Sequence, residues 1–223
     1  MAWRCSGSTN AALIANLKEA GIIKSERVAR AMQSVDRAHY APESPYGDSP
    51  QPIGMKATIS APHMHAMAAE SLLSDLHPNA RVLDIGSGSG YLTHVLANLV
   101  KPTGTVIGVD HIQGLVDLAN ENMSKSVEGR EMLKSGQVRF IKADGRLGWK
   151  EGGPYDAIHV GAAADEAHQE LIEQLKAPGR LFIPVSERYG QYIWVIDKKP
   201  DGTVEKKRDI GVRYVLLTDA YES

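Results

Sequence analysis

The chain has 223 residues, of which 43% are hydrophobic, and 25 basic against 27 acidic side chains leave a net charge of −2. That balance excludes the basic footprint of a nucleic-acid binder, and the single cysteine, Cys5, excludes an internal disulfide framework and a cysteine-based metal cluster. A chain of this length buries about 70–75% of its unfolded surface without covalent staples, and it contains no apolar run near the ~18–20 residues of a membrane helix, so the expectation is a soluble cytoplasmic monomer with no nucleic-acid or membrane partner.

Between Thr9 and Lys18, Leu13, Ile14 and Leu17 mark a short amphipathic helix, with Gly21 placed for its C-terminal cap. Ser25 is positioned to cap a second helix whose stripe is Val28, Met32 and Val35. Residues 37–52 are rich in proline, tyrosine and small polar side chains, and are expected to be ordered by packing as they wrap over a sheet. Residues 61–76 read as a helix carrying Met64, Met67, Leu72 and Leu76, with Ser60 near its N-cap and Pro62 in its first turn.

From Arg81 the pattern alternates. Apolar strands are expected at 82–85, 105–109, 138–142, 156–160 and 180–185, with helices at 91–100, 112–125 and 166–175 and a polar, partly helical, exposed insert at 126–136. Residues 191–197 and 206–217 read as antiparallel strands around Pro200-Asp201-Gly202. The fold class that follows is α/β: a doubly wound, mostly parallel, Rossmann-like sheet with helices on both faces, an antiparallel C-terminal edge and an N-terminal helical subdomain. The division expected is a helical cap at 1–78 ahead of a nucleotide-binding unit at 79–223.

The stretch VLDIGSGSG at 82–90 is a strand entering a glycine turn and then a helix, the opening of a nucleotide-binding unit. A dinucleotide fold requires G-x-G-x-x-G, but Gly86, Gly88 and Gly90 give G-x-G-x-G, and Tyr91 stands at the third dinucleotide position. Asp84 precedes the loop, where a pyrophosphate is unwelcome. An acid there suits a ligand with positive charge and no phosphate, such as S-adenosylmethionine. Asp84 is also expected to shape the loop by accepting backbone hydrogen bonds. Asp110 lies 20 residues after Gly90, the spacing of an acid that accepts from two ribose hydroxyls; it is equally placed to cap the next helix. Asp144 ends a strand where an acceptor can meet an adenine amino group, and Asp-Gly is also a common turn pair. His63 and His65 are two residues apart and point to different helix faces, unlike the i, i+4 pairs of helical metal sites, so no metal is expected.

Taken together, DIGSGSG, VDH at 109–111, ADGR at 143–146, PYDAIHVGAAA at 154–164, DSPQPIG at 48–54 and above all ATISAPHMHA at 57–66 resemble the protein-L-isoaspartate (D-aspartate) O-methyltransferases, with the animal form as the nearest match. The resemblance runs over nearly the whole chain. It implies a methyltransferase fold and S-adenosyl-L-methionine as methyl donor, leaving S-adenosyl-L-homocysteine. It implies transfer to the α-carboxylate of L-isoaspartyl and, less well, D-aspartyl residues in damaged proteins and peptides, starting repair through a succinimide. By the same resemblance Ser60 is the active-site residue, and Ala57, Thr58, Ile59 and Ser60 cover the cofactor. His65 contacts the cofactor by hydrogen bond, and Asp84, Gly86, Gly88, Ser89 and Gly90 belong to its loop. Asp110 and His111 take the ribose end, Asp144 and Gly145 the adenine end, and Thr218 a further contact. Ile59, Ser60 and Val212 are implied for the acceptor pocket. One departure is Leu216, where the family often carries proline.

Overall fold

The computed structural model describes residues 5–214, 216 and 217. Helix α1 (Asn10–Glu19) starts where the Thr9 side chain accepts the Ala12 N–H, and Gly21 with φ +71° follows its end. Ser25 caps α2 (Glu26–Ser34) by accepting the Arg27 N–H. The Lys24 and Ser25 N–H groups donate to the carboxylate of Glu70, which joins this turn to α3 (Pro62–Leu72).

Two elements here differ from the sequence expectation. Residues 51–59 form an antiparallel hairpin, β1 (Gln51–Gly54) with β2 (Ala57–Ile59). The four- and three-residue strands are too short to show period-2 alternation, which explains why none was expected. Ser60 does not cap α3: the cap position is Ala61, with no side-chain bond, and Pro62 supplies the preset first turn.

The main sheet comprises β3 (Arg81–Ile85), β4 (Thr105–Asp110), β5 (Val138–Lys142), β6 (Tyr155–Val160), β7 (Leu175–Glu187), β8 (Gly190–Lys198) and β9 (Val204–Val212). Their order is β5-β4-β3-β6-β7-β8-β9, parallel through β7 and antiparallel for β8 and β9. The helices α4 (Tyr91–Leu99), α5 (Gln113–Met123), α6 (Val127–Ser135) and α7 (Gln169–Glu173) complete the fold. The chain runs outward through β4 and β5, then returns to place β6 on the other side of β3. That reversal opens a crevice above the carboxyl ends of the central strands, where ligands of open α/β sheets bind.

Alternation along the strands divides the interior. Val82, Val106 and Phe182 face a core that includes Leu13, Leu17, Met32 and Leu72 of the N-terminal helices. Leu83, Ile107, Ile158 and Leu181 face the second core, against Leu171 and Ile172. The helix expected at 166–175 is only the five residues of α7. Leu175 instead opens β7 opposite Tyr155, whose N–H donates to the Gln174 carbonyl. The expected last strand ends at Val212, because the Gln191 side chain grips the backbone of Tyr214: the Tyr214 N–H donates to Oε1 at 2.6 Å and Nε2 donates to its carbonyl at 3.2 Å. The insert at 126–136 is a capped helix: Ser126 accepts the Gly129 N–H, and Met132 is buried rather than exposed.

Candidate cofactor and acceptor site

The turn after β3 carries three glycines with positive φ, two of which have clear tasks. Gly88 (φ +52°) donates its N–H to Oδ2 of Asp110 at 3.1 Å. Gly90 (φ +86°) begins α4, and a Cβ there would lie 3.0 Å from Phe140 and 3.1 Å from Ala119. Asp110, buried at the end of β4, also accepts the Ile112 N–H at 3.2 Å, and burial raises its carboxyl pKa. It therefore braces the approach to α5 without being the cap residue, which is Ile112. His111 lies beside it, Nδ1 3.5 Å from Oδ1.

A groove of about 480 Å³ runs over this turn, lined by Ala57, Thr58, Gly86, Gly88, Asp110 and His111 among others. The β1–β2 hairpin forms its outer wall. The hairpin tip seats on α5 because Gly114 has no side chain; a Cβ would stand 2.5 Å from the sulfur of Met55. That contact brings Ala57 to Ser60 across the glycine turn.

Behind the groove lies a small chamber of about 30 Å³ bordered by Ile59, Ser60, His65, Asp84, Ser89 and Tyr91, together with Ser87 and His159. Asp84 is almost wholly buried and accepts from Thr93 Oγ1 at 2.6 Å and from His159 Nδ1 at 2.8 Å. The expected backbone bonds to Asp84 are thus replaced by side-chain bonds, since its neighbour in register on β6 is His159. His159 Nδ1 donates to this carboxylate, which fixes the ring and leaves Nε2 for a ligand. Nε2 of His159, Oγ of Ser87 and the hydroxyl of Tyr91 are buried with no hydrogen-bond partner. Three unsatisfied polar atoms around one chamber mark it as built for a polar group.

Arg37 joins this chamber to the N-terminal layer. Its side chain is fully buried, donates to the Ser60 carbonyl at 2.6 Å and to His65 Nδ1 at 3.1 Å, and lies 4.9 Å from the Tyr91 ring centre. Burial lowers its pKa to about 10, which leaves it charged at neutral pH. Burial first, then Arg37, pushes His65 well below its ordinary value, so it is neutral. Since Arg37 only donates, Nδ1 of His65 accepts and the ring proton sits on Nε2. The Ser60 hydroxyl makes no hydrogen bond among the described residues and is available to a ligand.

The other expected positions scatter. Asp144 and Gly145 stand at the end of β5 but do not line the groove; a forked Arg146 holds the Asp144 carboxylate at 2.7–3.1 Å and lowers its pKa. Gly145 packs on Ile85, near Leu217 of the groove wall. Val212 lines a cavity that adjoins the one at Ser60, the two sharing Pro50, Ala61, Met64 and Arg213. Thr218 lies outside the described residues. His63 is held by Asp48 at 2.8 Å. Among the described residues there is no group of three or more metal-ligating side chains, and no helix long and apolar enough to cross a membrane.

Arg37, Ser87 and His159 were not among the expected site residues, and Tyr91 entered the sequence reading only as the residue that breaks the dinucleotide spacing. His159 alone carried a usable signal, lying two residues before the glycine that ends its strand and so at the binding edge of the sheet.

Residues 8–222 match the family model described as protein-L-isoaspartate(D-aspartate) O-methyltransferase. A protein-L-isoaspartate O-methyltransferase of Triticum aestivum is 49% identical over 94% of this chain and 91% of its own length. One of Caenorhabditis elegans is 46% identical over 100% of this chain and 98% of its length. Among solved structures, a protein-L-isoaspartate O-methyltransferase from Plasmodium falciparum in complex with S-adenosyl-L-homocysteine is 36% identical and superposes with a TM-score of 0.88, over 95% of this chain and 99% of that one. The chain belongs to the protein-L-isoaspartate(D-aspartate) O-methyltransferase family.

Proposed function

We propose that this chain methylates the α-carboxylate of L-isoaspartyl residues, and D-aspartyl residues less well, in damaged proteins and peptides, using S-adenosyl-L-methionine. The ester formed is a better leaving group than the carboxylate, so the residue returns to a succinimide whose hydrolysis restores some normal aspartate. The observation that carries this reading is the Ser60 hydroxyl, unengaged beside a chamber of unsatisfied polar atoms and fixed through its own carbonyl by Arg37.

The residues present fit the cofactor. Asp110 and His111 on the groove wall can take ribose hydroxyls. The chamber offers hydroxyls on Ser87 and Tyr91, the Nε2–H of neutral His65, ring Nε2 of His159 and the Asp84 carboxylate, a set complementary to an α-amino-acid end that carries both an ammonium and a carboxylate. When bound, S-adenosylmethionine supplies an electrophilic methyl on a sulfonium.

The chain then needs no strong base. An α-carboxyl with a reference pKa of about 3.3–3.7 is already ionised at neutral pH. Ser60 donates to one carboxylate oxygen and sets the other in line, and Ile59, buried beside it, excludes water. Orientation of this kind supplies up to about 7–11 kcal/mol of a barrier in favourable cases.

In this reading residues 1–78 act as the cap bearing the acceptor segment and 79–223 as the cofactor-binding unit. A monomer suffices: exposed apolar side chains such as Val127, Leu147 and Tyr189 sit on separate elements. Within the family we read the chain as the animal form, a reading made from the sequence motifs; the wheat and nematode relatives match it at 49% and 46% identity.

The test is a pair of peptides differing only in Asp or isoAsp at one site, incubated with cofactor labelled in the methyl group. Label should enter the isoaspartyl peptide alone; equal labelling of both sinks the reading. Ser60→Ala should lower kcat/KM about tenfold to a hundredfold, the worth of one hydrogen bond to a charged group. Its melting temperature should stay put, because the hydroxyl caps nothing.

A further inference from the structure

We propose that Arg213 selects acceptor chains with an acidic side chain one or two residues from the isoaspartyl residue, an inference that rests on the methyl-transfer reading above. Ser60 and Arg213 line one cavity of about 320 Å³. Met67, Tyr192, Val212 and Arg213 line an adjoining one of about 620 Å³. The two share Pro50, Ala61, Met64 and Arg213, so they form one trough that leads away from Ser60. A chain with its reacting carboxylate at Ser60 passes Arg213 as it leaves. At roughly 3.3 Å per extended residue, the side chains that meet Arg213 are near neighbours of the reacting one.

Three features separate Arg213 from an ordinary surface arginine. First, its backbone is fixed on both sides: Val212 pairs with Gln191 in the sheet, and the Gln191 side chain holds Tyr214 by its N–H and its carbonyl. Second, its charge is uncommitted. Arg180 is paired with Asp197, and Arg208 with Glu187 and the Tyr192 ring, whereas Arg213 has no hydrogen bond, ion pair or ring contact among the described residues. Third, among the described residues no other lysine or arginine lines either cavity, so the cationic character of the trough comes from this residue. The one carboxylate of the trough among the described residues, Asp48, has its side chain fully buried and is held by His63 through the backbone N–H and Nδ1. It does not compete for the guanidinium at the surface. Much of the remaining wall, including Pro50, Met64, Met67 and Val212, is apolar, and its polar members such as Thr58, Gln191 and Tyr192 carry no charge.

The experiment uses the full chain and three isoaspartyl peptides identical except for Glu, Gln or Lys beside the isoaspartyl residue. The wild type should favour the Glu peptide over the Lys peptide in kcat/KM by about three- to fivefold at low salt, as for a partly exposed ion pair. The preference should shrink as salt is added. Arg213→Gln should bring the Glu-to-Lys ratio near one, and Arg213→Glu should invert it. A ratio that persists in Arg213→Gln overturns the proposal. So does an equal loss on all three peptides, which marks a grip on the reacting carboxylate itself. If the wild type labels none of the three, the methyl-transfer reading fails and this inference with it; if it labels all three without charge order, only the inference fails.

Discussion

The inner wall of the groove under the hairpin comes from one turn, through Gly86 and Gly88, whereas the surroundings of Ser60 are drawn from Arg37, His65, Tyr91 and Arg213, which lie far apart in the chain. The first region works through backbone geometry: positive φ, missing Cβ atoms and the Gly88 N–H aimed at Asp110. The second works through side chains that only the folded chain brings together, with Arg37 reaching Ser60 across 23 residues of sequence. A local device tolerates change elsewhere in the molecule, while an assembled one inherits the stability of every layer it touches.

Arg37→Met should break the assembled region most severely. It leaves the partly buried Ser60 carbonyl and the buried His65 Nδ1 without a donor, at about 1–3 kcal/mol each, so stability in urea should fall by about 4 kcal/mol in sum. In whatever fraction remains folded, kcat should drop by more than the affinity for S-adenosylhomocysteine does. The reverse order would make Arg37 part of the cofactor site alone.

His94 of α4 donates its N–H to the Gly90 carbonyl, and its ring meets the Tyr40 hydroxyl at 2.6 Å and lies 3.7 Å from Glu128, itself paired with Lys101. Burial, then the charge of Lys101, pushes its pKa down from 6.5 to about 4. The folded state therefore holds the neutral ring, and below pH 6.5 the unfolded chain binds the proton first. Stability should decline as pH falls from 6.5 to 4 by about 3 kcal/mol from this group, then level off. Urea midpoints across that range give the slope, and His94→Gln should flatten it. An unchanged slope assigns the acid sensitivity elsewhere.

Asp110→Asn strikes the local region and should have the smallest free-energy effect. One charged acceptor is lost, worth about 1.5–3 kcal/mol, so calorimetry should show S-adenosylhomocysteine binding weakened about tenfold to a hundredfold. A change below threefold would remove Asp110 from the cofactor wall.

The same contrast explains what was legible before the fold was known. Strands β3 to β6 and helices α4 and α5 follow from apolar periodicity and glycine punctuation, signals carried within a few residues. Asp110 was readable because its spacing from the glycine turn reflects one βα unit. Arg37 was not, since nothing local distinguishes a buried arginine from a surface one. The register that sets His159 beside Asp84 links residues 75 apart in sequence. Leu175 misled because a leucine one turn beyond a helix and a leucine opening a buried strand look alike in a short window.

The outermost strand of the main sheet has a consequence of its own. Beyond β9 no further strand pairs among the described residues, and along it run Glu205, Lys206, Lys207, Arg208 and Asp209, all exposed. An open edge invites other extended chains to add themselves as strands, and dense charge discourages that. A catalyst for damaged proteins works among loosened, extended segments. By making its own edge inhospitable, this chain can handle such segments in its trough without being captured by them along its rim.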